Sequence, residues 1–386
     1  MTDFVQNSVD GVVSWVEGHD YRAYDPGDGS MSFLRPLTLN VPFFRRLLTA
    51  VVLRTPIHIR PWIGIRPHTS TKGMGYFAWG YTKMFALTGD ESYRRRAETC
   101  LDWLIANRSN NLNYCWGNHF AFSTRAGTIE KHTPTIVWSS LIGLAFLEAY
   151  EALGNSRYLD VAVSTADWVK SLPREQARRG VCLSYVPHMQ SSIHNSNMLG
   201  AALLARVATH TRDQCAVDLA REAMTYSCAL QHQDGSWFYG EAAKYHWIDN
   251  FHTAYNLDSL KRYLDSTGEQ EFEANLRVGF RYFRNNFFEP DGRPKYYHNQ
   301  ALPIDIQCAA QGIDTLAFFS DIEPESLALA EKVALWTVQH MQAKDGHFYY
   351  RDLGWKTVKT PMLHWGQGTM FKALANLLSV RAKSTA

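Results

Sequence analysis

The sequence predicts an all-α chain closed into a ring of six helical hairpins, an (α/α)6 toroid, and three observations predict it. Apolar helical stripes begin near Gly75, Pro134, His194, Asn250, Ile304 and His364, with adjacent starts 54 to 60 positions apart. Each of the first five stripes runs through a short polar turn into a second, more charged helix. The last stripe, "MFKALANLL", stays apolar almost to the C-terminus, whereas an open solenoid wants a polar capping repeat at its end.

The elements follow in chain order. The inner helices "GYFAWGYTKMFAL", "PTIVWSSLIGLAFLEAY", "HNSNMLGAALLARV", "NFHTAYNLDSLKRYL", "IDIQCAAQGIDTLAFF" and "HWGQGTMFKALANLL" are apolar nearly all round, as helices buried on every side must be. The segments that follow the first five, such as "RRRAETCLDWLIA" and "FEANLRVGFRYFRNNF", carry apolar residues at three- and four-residue spacing and expose one charged face. A sixth outer helix has to come from residues 1–55, either "VQNSVDGVVSWVE" or "VPFFRRLLTAVVLR". Residues 1–70 therefore complete or flank the ring, and 71–386 form it, as one domain overall. Between hairpins lie "GVCLSYVPH", "DGSWFYGE", "DGRPKYYHN" and "DGHFYYRD", where a turn opens an alternating aromatic stretch, the signature of short β-hairpin-like loops.

Bulk composition narrows the function. Of 386 residues 46% are hydrophobic and 20% charged, and the formal charge is +2 without any Lys/Arg run, which argues against nucleic acid as a partner. The N-terminus lacks the basic-then-apolar order of a secretory signal, and no run of about 18 uninterrupted apolar residues predicts a membrane span. Six scattered cysteines without a CxxC pair then read as reduced thiols in the cytoplasm. No HExxH or paired Cys/His spacing appears, so neither metal nor cofactor is expected.

Parallel inner helices bring their N-termini to one end of the ring, and each start carries a histidine. The set comprises His68, Lys72 and Tyr76; Glu130 and His132; His194, Asn195 and Asn197; His246, Asp249, Asn250 and His252; His298, Asn299, Asp305 and Gln307; and His364, Trp365 and Gln367. Six converging N-termini present unpaired N–H groups and partial positive charge, which favour an anionic or hydroxyl-rich ligand. Trp237, Tyr239, Tyr296, Tyr297, Tyr349, Tyr350 and Trp365 supply aromatic faces suited to sugar rings. A sugar or glycan, with a carboxylate of its own, fits this mouth.

Two chemistries compete. Glycoside hydrolysis needs two carboxylates, and Asp249 with Asp305 is the available pair, although either can simply cap its helix. Proton abstraction beside a uronate carboxyl, in an epimerase or lyase, instead needs a moderate base, a cation or donor set for the carboxylate, and a second proton carrier. His252 and His298 are the candidate acid and base, Tyr255 or Tyr239 the second carrier, and His194, Asn195 and Asn197 the carboxylate binders. Lys72, Tyr76, His132, Trp237, Asn250, Gln307, His364, Trp365 and Gln367 complete the expected binding surface. A glycan-binding scaffold without turnover is the third reading. "QDGSW" at 233–237 is similar to a repeat of squalene cyclases and prenyltransferases, but their acidic clusters are absent and this mouth is polar.

"DGSWFYGE", "WIDNFHTAYNLDSLKRY", "PIDIQCAAQGIDTLA" and "HWGQGTMFKALANLL" together resemble a group of bacterial toroid proteins found with exopolysaccharide and capsule genes. The last segment is also similar to the final helix of uronyl C5-epimerases. The resemblance spans roughly residues 70–380 and rests on the DNFHT and PIDI segments. It implies a ring fold and a glycan context in polysaccharide biosynthesis, without specifying the reaction. Association with membrane glycan-assembly machinery is the partner expected on the scaffold reading.

Overall fold

The computed structural model describes residues 4–55, 57–123, 127–190 and 192–385. Its helices are α1 (Phe4–Gly18), α2 (Pro42–Arg54), α3 (Thr71–Thr88), α4 (Glu91–Ala106), α5 (Ile136–Leu153), α6 (Ser156–Lys170) and α7 (His194–Thr211). There follow α8 (Gln214–Ala229), α9 (Asn250–Thr267), α10 (Glu273–Asn286), α11 (Ile306–Phe318), α12 (Glu325–Met341) and α13 (Thr369–Thr385). The odd-numbered helices from α3 to α13 each pack on the next, and α13 packs back on α3, so the inner layer is a closed (α/α)6 ring.

The sixth outer helix is α1. Val5, Val9, Val12 and Val16 recur on one face, all are buried, and that face meets α12 and α13. Ser8 and Gln342 hydrogen-bond each other at 2.8 Å, which ties the first helix to the end of α12. The other N-terminal candidate, α2, lies outside the ring against the loop ahead of α5. By length and composition α5 is the one helix among the described residues apolar enough to cross a membrane, yet two thirds of it is buried as an inner-ring element.

Local chemistry sets the hairpin geometry. Inner helices α3, α5 and α9 stop at Gly89, Gly154 and Gly268 in the left-handed conformation, and Asp90, Asn155 and Asp213 cap the starts of outer helices α4, α6 and α8. The recurring Asp-Gly turn has a docking role. Gly235, Gly292 and Gly346 all have φ between 93° and 101°, and a Cβ there would strike the backbone of Val278 (α10), Lys332 (α12) or Gly11 (α1). The "QDGSW" segment is thus a structural tie between a turn and an outer helix.

The loops at the mouth are short hairpins: β1 (Phe122–Ser123) with β2 (Thr128–Ile129), and β3 (Arg174–Gln176) with β4 (Val181–Leu183), both antiparallel. A three-stranded sheet joins β5 (Ile304–Asp305), β6 (Arg351–Asp352) and β7 (Thr357–Val358). Its register sets Asp305 opposite Arg351. Residues 363–368 form a π-helical turn that leads into α13, a wide turn that recurs at functional sites.

Candidate functional site

Both predicted carboxylates cap their helices. Asp249 accepts from the backbone N–H of His252 through Oδ1 at 3.0 Å, and its Oδ2 meets Nδ1 of His252 at 2.7 Å and the Trp247 indole N–H at 2.9 Å. That arrangement orients the imidazole: with Nδ1–H donated to the carboxylate, Nε2 is the nitrogen left to act on a ligand. His252 lines a cavity of about 390 Å³ together with Lys244, His246, Trp247, Asp249, Tyr296 and Tyr297. Tyr239 stacks on Trp247 and its ring centre lies 4.4 Å from that of His252.

Asp305 is differently employed. It is fully buried, caps Gln307 at 2.9 Å, accepts the Trp365 indole N–H at 2.7 Å and pairs with the Arg351 guanidinium at 2.6 Å. Neither of its oxygens is open to a substrate. Trp365 is likewise anchored by its N–H, and its ring packs edge-on against Phe251.

The centre of the ring holds a cation among aromatic faces. Lys72, 5% exposed, projects from the first turn of α3, and its Nζ lies 4.9 Å from the Trp138 ring centre, 5.7 Å from Tyr76 and 5.8 Å from Tyr255. No hydrogen bond or ion pair reaches this ammonium from the described residues. Burial lowers its pKa to about 8, against the opposing pull of Asp25. Tyr76 and Tyr255 share a hydroxyl hydrogen bond of 2.8 Å, and Gln307 Nε2 donates to Tyr255 at 2.9 Å. Burial pushes both phenols well up, so they stay protonated and serve as donors rather than as bases. Beneath them Gln311 donates to Asp258, whose carboxyl is raised to about 7 by burial and by the neighbouring Asp314.

A second histidine group borders Lys72. Asp25 is buried, with Oδ1 2.7 Å from Nδ1 of His364 and Oδ2 3.9 Å from Nε2 of His68. His119 lies 4.5 Å from His68, ring centre to ring centre, and burial, reinforced by His68, lowers its pKa to about 4. Burial also lowers the pKa of His364 against the pull of Asp25, and burial acting on Asp25 is outweighed by His364, which holds that carboxyl below its usual range. His364 in turn lies 6.0 Å from Trp138, ring centre to ring centre. Among the described residues no three His, Cys, Asp or Glu side chains are arranged to hold a metal ion.

The structure therefore gathers His252, His364, Lys72, Tyr76, Tyr255 and Gln307 at the mouth, and separates others expected there. His298 turns outward: its ring faces Tyr282 of outer helix α10, with Nδ1 3.4 Å from the Ile248 carbonyl. His132 is exposed on a turn at φ 61°. His194 is fully buried and bonded to Ser227 and Glu241, because its ring points into the α7–α8 interface. Asn197 bonds Leu183 N and Ala223 O, and Gln367 brackets Phe348 N and O, so both amides hold loops rather than ligands. Trp237 is buried with its indole on the Ser227 carbonyl and presents no stacking face. Asn195 Oδ1 and both amide atoms of Asn250 are buried without a protein partner, which marks them as groups with hydrogen bonds still to make. Asp25, His119 and Trp138 are site residues that the sequence reading did not single out.

Neither a family model nor a curated protein sequence matches the chain. Solved structures do. An α-mannanase of glycoside hydrolase family 76 from Bacteroides thetaiotaomicron superposes with a TM-score of 0.65 at 11% identity over 82% of this chain and 88% of that one. Cellobiose 2-epimerase from Spirochaeta thermophila gives 0.63 at 12% identity over 92% and 99%. A polysaccharide lyase gives 0.58 at 11% over 81% and 91%. No sequence match supports the exopolysaccharide or uronyl C5-epimerase resemblance; its ring fold is what these structures share. The chain has the (α/α)6 toroid fold found in carbohydrate-active epimerases, lyases and hydrolases.

Proposed function

We propose that the protein is an enzyme that moves a proton at a sugar carbon next to a carbonyl, acting first on an acidic sugar or glycan as an epimerase or lyase. The observation that carries this reading is the pairing of a carboxylate-oriented imidazole, His252 on Asp249, with the buried Lys72 ammonium. Tyr255 borders both of them. Removing a proton beside a carboxylate builds negative charge on its oxygens, and a fixed cation in a dry well stabilises that charge. His252 Nε2 takes the proton. His364, held by Asp25 across Lys72 and Trp138, is the group placed to return one, in the role first expected of His298. Asn195 and Asn250 supply donors and acceptors for sugar hydroxyls.

Hydrolysis by Asp249 and Asp305 is the weaker reading, because every carboxylate oxygen of the pair already meets a protein donor. A second reading keeps the same groups and changes the substrate to the open-chain end of a neutral sugar, with Lys72 facing an enolate oxygen. The cellobiose 2-epimerase and a D-mannose isomerase among the similar folds support it. A place in polysaccharide assembly belongs to the same proposal and rests on the resemblance of the DNFHT and PIDI segments, and a cytoplasmic location rests on the six unpaired cysteines. The test is incubation in deuterated water with uronate oligosaccharides and with reducing disaccharides, followed by NMR. Deuterium at the carbon beside the carboxylate, or a conjugated unsaturated product, supports the first reading. Deuterium only beside the reducing carbonyl supports the second. Cleaved, unexchanged sugar refutes both.

A further inference from the structure

The segment that crosses the mouth end carries a surface at odds with the rest of the molecule. Phe33, Leu37, Leu39, Phe43 and Trp62 are 65%, 76%, 77%, 65% and 74% exposed. They are continuous: Phe33 bonds the Ile63 carbonyl beside Trp62, and α2 packs on the short 3-10 turn that bears Leu37. On α2 itself Phe43, Leu47 and Val51 recur every four residues on the exposed side, and Arg46 and Arg54 run along the adjacent stripe. A soluble monomer rarely shows so many large apolar side chains together.

Charge says what covers them. From Gly29 to Gly89 the sequence contains no Asp or Glu, while it carries six arginines and two lysines. Arg60 is taken by Asp28 inside the fold, and Arg45 by Glu130. Arg35, Arg46, Arg54 and Arg66 have no acidic partner among the described residues. Aromatic side chains including a Trp, ringed by unpaired arginines, form the pattern of a helix that lies in an anionic lipid interface. The patch also sits at the mouth end. Arg45 reaches Glu130 in the loop ahead of α5, α2 packs on β1, and the Tyr24 carbonyl accepts from Leu363 N beside His364.

We propose that α2 and its flanking turns seat this protein on an anionic membrane surface, with the mouth of the ring held next to the bilayer. The inference is independent of the reaction the site performs. The mouth would then meet its sugar at the membrane rather than in bulk solution.

Vesicle flotation of the full chain tests it, with phosphatidylcholine alone and with phosphatidylglycerol mixed in, at low and high salt. The protein is expected to float with the phosphatidylglycerol vesicles, less so as salt rises. The exposed-face variant Phe43→Ser/Leu47→Ser/Val51→Ser is expected to bind about a hundredfold more weakly or worse, from the apolar area withdrawn. Arg46→Glu/Arg54→Glu, which removes no apolar side chain, is expected to lose at least about tenfold. The proposal is overturned if the wild type floats with neither vesicle. It is equally overturned if a folded charge-reversal variant floats as well as wild type, or if lipid-free protein is a dimer that the serine substitutions dissolve.

Discussion

Nδ1 of His252 stands 2.7 Å from Oδ2 of Asp249, whose other oxygen caps the same helix. One carboxylate thus starts α9 and selects the imidazole tautomer. Asp249→Asn retains a capping side chain, so the fold should persist while exchange slows by roughly a hundredfold to ten-thousandfold. His252→Gln should cost about the same, and the double variant little more than either alone, since the two act as one unit. Rates of solvent deuterium incorporation decide this; additive losses would mean that the residues act separately.

Lys72 makes opposite predictions for stability and binding. Its pKa is lowered from 10.5 to about 8, so between those values the unfolded chain holds more protons and stability rises with pH. Below pH 8 the buried charge costs up to about 3 kcal/mol, which Lys72→Met should return as a higher Tm at neutral pH. The same variant should lose affinity for an acidic sugar. In the wild type that affinity should fall as pH climbs through about 8, where the ammonium is lost, and calorimetric titration across that range would show it.

His119 predicts acid sensitivity. Its pKa lies near 4, below the ordinary 6.5, because burial and His68 disfavour the charged ring. The unfolded state therefore binds the extra proton first, and stability present above pH 6.5 is lost as pH falls towards 4. Urea midpoints at several pH values should show this slope, and His119→Gln should flatten it.

Asp305 is predicted to matter for folding. Asp305→Ala strips the cap of α11 and leaves the partly buried Arg351 guanidinium without its counter-charge. A loss of about 3–5 kcal/mol follows from an unpaired buried ion. Denaturant unfolding measures it. A variant of unchanged stability that had lost all turnover would instead restore the hydrolase reading.

The ring was legible because each hairpin repeats one burial problem: an apolar helix, a turn, a one-sided helix. Period and polarity suffice to recognise that, and the docking glycines 235, 292 and 346 repeat with it. The direction of single side chains was not legible. His194, His252 and His298 all stand near inner-helix starts, yet only His252 of the three faces the mouth. His194 is the first residue of α7 and His252 the third of α9, two helical positions that separate the α7–α8 interface from the cavity, while His298 lies in the loop ahead of α11 and turns to the flank of α10. Capping and chemistry both ask for an acid at a helix start, so Asp249 and Asp305 looked alike until Arg351 and Trp365 were seen to occupy the second. Asp25 and His119 were missed since they fall in segments that do not repeat: the strap that crosses the mouth and the loop ahead of α5.

The valine face of α1 has its partners at the far end of the chain, in α12 and α13. α1 is thus made long before the helices that seat it, and until α12 and α13 exist its valine stripe lacks those partners. Any lesion that removes or delays the final hairpin should expose that stripe as well as open the ring. Proteolytic sensitivity near Gly18 would be an early sign of a molecule that failed to shut.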